Sequence, residues 1–315
     1  MSDPKIVVPD DYPRVLAPSQ AWRHLTARFP VEYHDTLPGS EAALIERLRE
    51  AGVVINIRSS CKFTAAVFEA CPRLKLVSIW GTGIDNIDLE AARARGVTVT
   101  NTPGVSAVSI AEHSLALMLA VARQIPRIDA EVRRGAWPRG FVTQMHGKTL
   151  GIIGLGAIGR RFAALGAAIG MKVLSWTMHP KAELGFRHVE LEELLGSSDV
   201  VSLHLRQSAD TLGFLDRRRL ALMKPTAILI NTARGPLVEE QALMEALESG
   251  RLAGAGLDVF DTEPLPPGHP LTRLANVVLT PHSGGVTPEA LEAGLQRAVE
   301  NVFRFLEGRA ENVVG

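Results

Sequence analysis

Gly154, Gly156 and Gly159 have the type and spacing of a phosphate cradle. They stand in Leu150-Gly151-Ile152-Ile153-Gly154-Leu155-Gly156-Ala157-Ile158-Gly159, an apolar strand-like run closing on Gly-x-Gly-x-x-Gly. A helical pattern follows from Arg160 to about Gly170, then a second strand-like run, Lys172 to Ser175. In that setting the first glycine permits a tight turn. The second lets the backbone approach a pyrophosphate, and the third lets helix and strand pack closely. The phosphates would sit on the free N–H groups of the helix start, around Ala157 and Ile158, where the helix dipole is positive. The pattern predicts a dinucleotide site.

One feature of such sites is absent. A site for NAD usually has Asp or Glu about 20 residues on, where it binds the ribose hydroxyls. Here Ser175-Trp176-Thr177-Met178-His179-Pro180-Lys181 puts Thr177 at that position. No carboxylate stands there to repel a 2′-phosphate, and His179 and Lys181 follow closely, so NAD and NADP both remain open. The plainer alternative is that His179 and Lys181 are surface residues beyond the site.

The elements that must position this loop are legible as an alternation. Short Val- and Ile-rich runs fall at 6–8, 53–57, 76–79, 97–99, 150–153, 172–175, 200–203, 227–230, 256–259 and 277–279, with longer helical patterns between them. Strands apolar on both faces belong to parallel sheets covered by helices, and the alternation predicts right-handed βαβ units. Asn101-Thr102-Pro103-Gly104 interrupts the pattern and marks one domain boundary; Gly284-Gly285 marks a second. Between them, a helix from about Ser106 to Arg123 carries Ala, Leu and Met on most of its surface. A helix apolar nearly all round has to be covered, between domains or between subunits. A last helix is expected from Thr287 to about Gly308, with Thr287 as N-cap and Pro288 in its first turn.

Composition narrows the classes. Lys+Arg and Asp+Glu each number 34 in 315 residues, so no basic excess exists to hold nucleic acid or an anionic membrane. Clusters such as Arg217-Arg218-Arg219 are short and read as solvated. Two cysteines, Cys61 and Cys71, make no disulfide framework, and no Cys/His spacing suits a metal. No apolar run reaches the ~18 residues of a membrane span. The opening MSDPKIVVPDDY is unlike a signal peptide, so a cytoplasmic setting is expected.

From about Val53 to Asn312 the chain resembles the D-isomer-specific 2-hydroxyacid dehydrogenases, which include phosphoglycerate, glyoxylate–hydroxypyruvate and lactate enzymes. The resemblance is carried by Gly81-Thr82-Gly83-Ile84-Asp85-Asn86, Asn101-Thr102-Pro103-Gly104, the glycine loop, Asn231-Thr232-Ala233-Arg234-Gly235, Leu257-Asp258-Val259-Phe260-Asp261-Thr262-Glu263-Pro264 and Thr280-Pro281-His282. It implies an NAD(P)-dependent oxidoreductase that moves a hydride between nicotinamide and C2 of a small D-2-hydroxy or 2-oxo acid.

The resemblance also assigns a catalytic trio. Arg234 binds the substrate carboxylate and C2 oxygen, using a bidentate fork that lysine lacks. His282 is the general acid and base, apt because imidazole titrates near neutral pH. Glu263 orients the His282 ring and favours its charged form. Taken singly, an Arg after a strand, a Glu in a Pro-rich loop and a His at a strand end are usually structural. All three are expected at the sheet edge where open α/β folds bind ligands. The resemblance further implies that Asp258 binds the nicotinamide carboxamide, that Thr232 and Ala233 line the ring, and that Leu205 and Gly284 complete the cofactor contacts. Thr82 and Gly83, with His282 and Arg234, are implied at the substrate, with Ser59 and Ser60 toward its far end. His204-Leu205-Arg206 replaces the family's frequent His-x-Pro, and Arg206 is a further adenosine candidate. No metal site is implied.

The implied fold is α/β, with two Rossmann/flavodoxin-like doubly wound parallel-sheet domains and the active site in the cleft between them. Residues 1–102 with 285–315 would form the substrate domain, and 103–284 the dinucleotide-binding domain. A homodimer is implied, with helix 106–123 as the place to seek the contact. Two rival readings stay open: a non-catalytic NAD(H)-sensing binding protein of the same fold, and a formate or phosphite dehydrogenase-like relative. Glu263 in place of the Gln of formate enzymes, and no Lys at Gly81–Ile84, speak against the latter, although Lys62 lies in the neighbouring loop. The R-group pocket is not readable; Arg58 and Lys62 would be the cations near a phosphate-bearing substrate.

Overall fold

The structure, a computed structural model, describes residues 4–57, 60–180 and 185–314. Arg58, Ser59 and Lys181, singled out above, lie outside the described residues. Two compact units are present, Met1–Ser106 with Thr287–Gly315, and Ala107–Val286.

The first unit is built on a five-stranded parallel sheet. Its strands are β1 (Ile6–Val8), β2 (Val31–Tyr33), β3 (Val53–Asn56), β4 (Leu76–Ile79) and β5 (Thr98–Thr100), in the order β2-β1-β3-β4-β5. Helices α1 (Gln20–Thr26), α2 (Glu41–Leu48), α3 (Ala65–Ala70) and α4 (Leu89–Ala94) make the crossovers. Apolar side chains fill both faces, which is why β1, β3 and β4 contain only buried residues. The C-terminal helix Pro288–Leu306 returns to cover the face that α1 shares, its Leu295, Val299 and Val302 wholly buried. Thr287 caps it by accepting the Ala290 N–H at 3.2 Å. Loss of such a cap typically costs about 1 kcal/mol.

The second unit carries a seven-stranded parallel sheet: β6 (Thr149–Ile153), β7 (Lys172–Trp176), β8 (Arg187–His188), β9 (Val200–Leu203), β10 (Ile228–Asn231), β11 (Gly254–Leu257) and β12 (Val277–Leu279), ordered β12-β11-β10-β9-β6-β7-β8. One face is covered by α5 (Ala107–Ala122) and α7 (Ala157–Ala168), the other by α8 (Leu191–Ser197), α9 (Arg217–Leu222) and α10 (Glu240–Glu248). A short helix α6 (Ile125–Arg133) follows α5 with no buried residue. Strand order reverses between β6 and β9, which makes that edge the ligand crevice expected of an open doubly wound sheet.

Several sequence expectations are corrected. The edge strands β2 and β8 were not foreseen, since neither contains a buried residue and no apolar run announces them. The run at 256–259 pairs two residues earlier, as Gly254–Leu257. Helix α7 starts at Ala157, inside the glycine motif, not at Arg160. Helix α5 packs within its own unit against α7, β10 and β11 and leaves Val108 exposed. No single helix among the described residues is long and apolar enough to cross a membrane.

Candidate active site

Every described candidate residue of the second unit lies at or just past the carboxyl end of one of its parallel strands. The glycine loop follows β6, Thr177 follows β7, and His204-Leu205-Arg206 follows β9. Thr232, Ala233 and Arg234 follow β10, Asp258 and Glu263 follow β11, and His282 and Gly284 follow β12.

The glycine loop has the shape of a phosphate cradle. Gly154 takes a φ of +97°, a conformation that costs glycine nothing. A Cβ at Gly159 would stand 2.1 Å from the Gly154 carbonyl oxygen, so only glycine allows the helix to start this close to the strand. A Cβ at Gly156 would meet nothing within 4 Å: the space above the turn is open. Gly156 is also the N-cap of α7 and offers no side chain to its first-turn N–H groups. Open space over an uncapped helix start suits a dinucleotide pyrophosphate.

Neighbouring loops seat the turn. Gly154 N–H donates to the Trp176 carbonyl at 2.8 Å, which brings the end of β7, and hence Thr177, beside the turn. His204 N–H donates to the Ile153 carbonyl at 2.7 Å. The His204 ring packs edge-on to Phe162 and shares a hydrogen bond with Ser202 at 2.9 Å. Burial pushes its pKa down to about 3, so this histidine is a neutral structural wedge. Arg206 is exposed and its carbonyl accepts from Thr211. His179 is exposed.

At the other end of the edge the catalytic candidates converge. His282 Nδ1 lies 2.7 Å from Glu263 Oε2, and Glu263 Oε1 accepts the Phe260 N–H at 3.0 Å. Burial opposes ionisation of Glu263. The hydrogen bonds from His282 and Phe260, with the His282 and Arg234 charges, outweigh it and hold the carboxyl below its usual range. The carboxylate thus fixes the ring and leaves Nε2 as the nitrogen not engaged with it. A cavity of about 510 Å³ beside the pair has apolar walls from Phe260, Pro264, Leu265, Leu279 and Pro281. His282 itself has a φ of +52°, a strained backbone for a non-glycine residue, worth roughly 1–3 kcal/mol.

The loop after β10 is pinned by a residue to which the sequence reading gave no role. Asn231 accepts the Ala233 N–H at 3.0 Å and donates to the Arg234 carbonyl at 2.8 Å. Arg234 NH1 donates to the Ala233 carbonyl at 2.7 Å. Asn at a strand end before a turn is a usable signal, because its amide satisfies local backbone groups. Thr232 is almost fully buried and pairs with Ser114 of α5 at 2.9 Å. Asp258, also buried, accepts from Thr280, Ser283 and Gly284.

The first unit brings two of the quoted motifs together. Gly81 N–H donates to Thr102 Oγ1 at 2.7 Å, and Asn101 Nδ2 to the Thr82 carbonyl at 3.0 Å. Thr82 is exposed and Gly83 partly so. Ser60 donates to the wholly buried Asp10, and Lys62 is exposed. Burial, reinforced by Asp10, pushes the neighbouring Cys61 thiol up to about 12, which leaves it inert as a nucleophile.

Comparison with known proteins decides the family. A model of the "D-isomer specific 2-hydroxyacid dehydrogenase, NAD binding domain" matches residues 115–284. The chain belongs to the D-isomer-specific 2-hydroxyacid dehydrogenase family. It is an oxidoreductase that uses a nicotinamide cofactor. Among relatives of this dehydrogenase, a glyoxylate reductase of Korarchaeum cryptofilum is 39% identical over 286 residues, covering 88% of this chain and 86% of the relative. A D-3-phosphoglycerate dehydrogenase of Methanocaldococcus jannaschii is 41% identical over 279 residues, covering 86% of this chain and 53% of the relative. An acyclic imino acid reductase solved with NADPH and D-Arg superposes with a TM-score of 0.91 at 33% identity, covering 99% of this chain and 100% of that one.

Proposed function

We propose that this dehydrogenase reduces a small unphosphorylated 2-oxo acid of the glyoxylate–hydroxypyruvate type, accepting both NADH and NADPH. The observation that carries the reading is the 2.7 Å contact of His282 with Glu263, on the sheet edge that also bears the glycine loop. The substrate class is supported by glyoxylate reductases that match this chain over more than four-fifths of their own length. The matched phosphoglycerate dehydrogenases are covered over only about half.

The glycine loop, Thr177, Leu205, Thr232, Ala233, Asp258 and Gly284 hold the cofactor, which when bound supplies or takes up a hydride. Arg234 binds the substrate carboxylate and the C2 oxygen, drawing charge from the carbonyl. The His282 imidazolium, through Nε2, gives its proton to that oxygen as it becomes a hydroxyl, and takes it back in oxidation. Glu263 keeps the ring in one orientation and compensates its charge. Thr177 in place of an acid removes the repulsion that normally excludes a 2′-phosphate. A homodimer is the proposed assembly, checked by light scattering at micromolar concentration.

The deciding experiment scores a panel of 2-oxo acids with NADH and NADPH in parallel. Turnover of glyoxylate or hydroxypyruvate well above phosphohydroxypyruvate is expected. No turnover of any 2-oxo acid overturns the assignment, and an NADH preference above about a hundredfold overturns the dual-cofactor reading.

A further inference from the structure

Helix α5 sets two consecutive polar residues, His113 and Ser114, against the strand ends that carry the site. Ser114 meets Thr232 after β10, as described. His113 reaches the next two loops: its Nε2 lies 2.9 Å from Thr280 Oγ1 and 3.3 Å from Asp258 Oδ1. Thr280 Oγ1 in turn lies 2.6 Å from Asp258 Oδ1.

The direction of these bonds follows from proton counting. Burial opposes ionisation of Asp258. Hydrogen bonds from His113, Thr280, Ser283 and Gly284 outweigh it and keep the carboxyl ionised below its usual range. An ionised carboxylate only accepts, so the single Thr280 hydroxyl proton points to Asp258. Thr280 Oγ1 must then accept from His113, whose Nε2 bears the hydrogen. The chain runs His113 to Thr280 to Asp258.

Asp258 grips the backbone on both sides of His282. Its Oδ1 accepts the Ser283 N–H and its Oδ2 the Gly284 N–H, both at 2.8 Å, and its carbonyl accepts the His282 N–H at 2.8 Å. These bonds hold the +52° φ at His282. The His113 ring closes the arrangement from the helix side. A Cβ at Gly284 would stand 3.1 Å from His113 Cδ2 and 2.9 Å from Asp258 Oδ2.

We propose that His113 is a positioning residue for proton transfer: its Nε2–H orients the Thr280 hydroxyl onto Asp258 and so fixes the left-handed turn that presents His282. This rests on the reading of His282 as the proton-transferring group. What matters at residue 113 is then a donor at the Nε2 position, not a positive charge. Glutamine places an amide N–H near that position and carries no charge, while leucine fills similar space with no donor.

The test compares His113→Gln, His113→Leu and Thr280→Val in the full chain. Steady-state kinetics are measured with glyoxylate, and hydrogen exchange of the Ser283 and Gly284 amides by NMR without any ligand. Leucine and valine should lower kcat about tenfold with KM for the 2-oxo acid within about twofold, since Arg234 is untouched. Both should speed exchange of the two amides by a similar factor, and glutamine should restore most of each loss. An unchanged kcat in His113→Leu overturns the proposal. So does a glutamine variant as impaired as leucine with both amides still protected, which would mark the charge as the active feature. If His113→Leu does not fold, the near-isosteric Thr280→Val carries the same comparison. A wild type that reduces no 2-oxo acid sinks the proposed function, whereas amide exchange still decides the grip on the His282 turn.

Discussion

His282 Nδ1 and Glu263 Oε2 lie 2.7 Å apart on the loops that leave two neighbouring strands, β12 and β11. The short bond is possible because the Asp258 carbonyl holds the His282 N–H and the Phe260 N–H holds the other Glu263 oxygen. Both ends of the pair are therefore tied to the loop after β11, and the ring cannot turn without breaking its bond to Glu263.

Glu263→Gln removes the anion that favours the imidazolium form, so His282 should lose its proton at lower pH. Reduction needs the imidazolium, and the falling limb of its pH–rate profile should move to lower pH. A kcat loss of roughly 10- to 100-fold is expected near neutral pH, within the range of general acid–base effects. An unchanged profile across about pH 5 to 8, where imidazole changes charge, would remove Glu263 from the mechanism.

Arg234→Lys keeps the charge but loses the planar fork. The kcat/KM for 2-oxo acids should fall about 100-fold, because a single ammonium cannot hold carboxylate and C2 oxygen together. Cofactor affinity, followed by NADH fluorescence, should change little. Equal loss of cofactor binding would place Arg234 elsewhere.

Thr177→Asp introduces a carboxylate just past β7. KM for NADPH should rise at least about tenfold relative to NADH, through repulsion of the 2′-phosphate. Parallel titrations with the two cofactors check it, and an unchanged ratio would show that the adenosine ribose is not at this strand end.

Gly156→Val should fold with a melting temperature close to wild type, since a Cβ there meets nothing within 4 Å. Its side chain would occupy the space assigned to the pyrophosphate, so NADH binding measured by calorimetry should be lost. Gly159→Ala differs in kind: its Cβ would stand 2.1 Å from the Gly154 oxygen, so stability should drop too.

His204 contributes to acid lability. Its folded pKa, about 3, lies below the ordinary 6.5. The unfolded chain takes up a proton that the native protein refuses, so this contribution is complete above about 6.5 and declines as pH falls toward 3. The slope is at most about 1.4 kcal/mol per pH unit. His204→Gln keeps a partner for Ser202 and should flatten the pH dependence of the melting temperature across that interval. An unaltered slope would show that other groups govern it.

The legible part of this protein was local and repetitive. Runs such as Val53–Asn56 and Val200–Leu203 are buried on both faces, so a parallel sheet leaves them as uninterrupted apolar stretches. Edge strands β2 and β8 lack that burial and left no such trace. The glycine loop was readable because its constraints act between residues a few positions apart. Arg234, Glu263 and His282 were found through resemblance, each being unremarkable in its own stretch of sequence.

Sequence alone determined the alternation of strand and helix, the place of the phosphate turn and the absence of an acid at Thr177. Those features depend on the period of apolar residues and on one residue's size or charge. Only the tertiary structure decided that Asn231 pins the Arg234 turn, and that His113, 167 positions before Thr280, shares a hydrogen bond with it. Parallel crossovers bring together strand ends that are far apart along the chain. The partners of a buried polar group therefore follow from sheet order, which no single stretch of residues encodes.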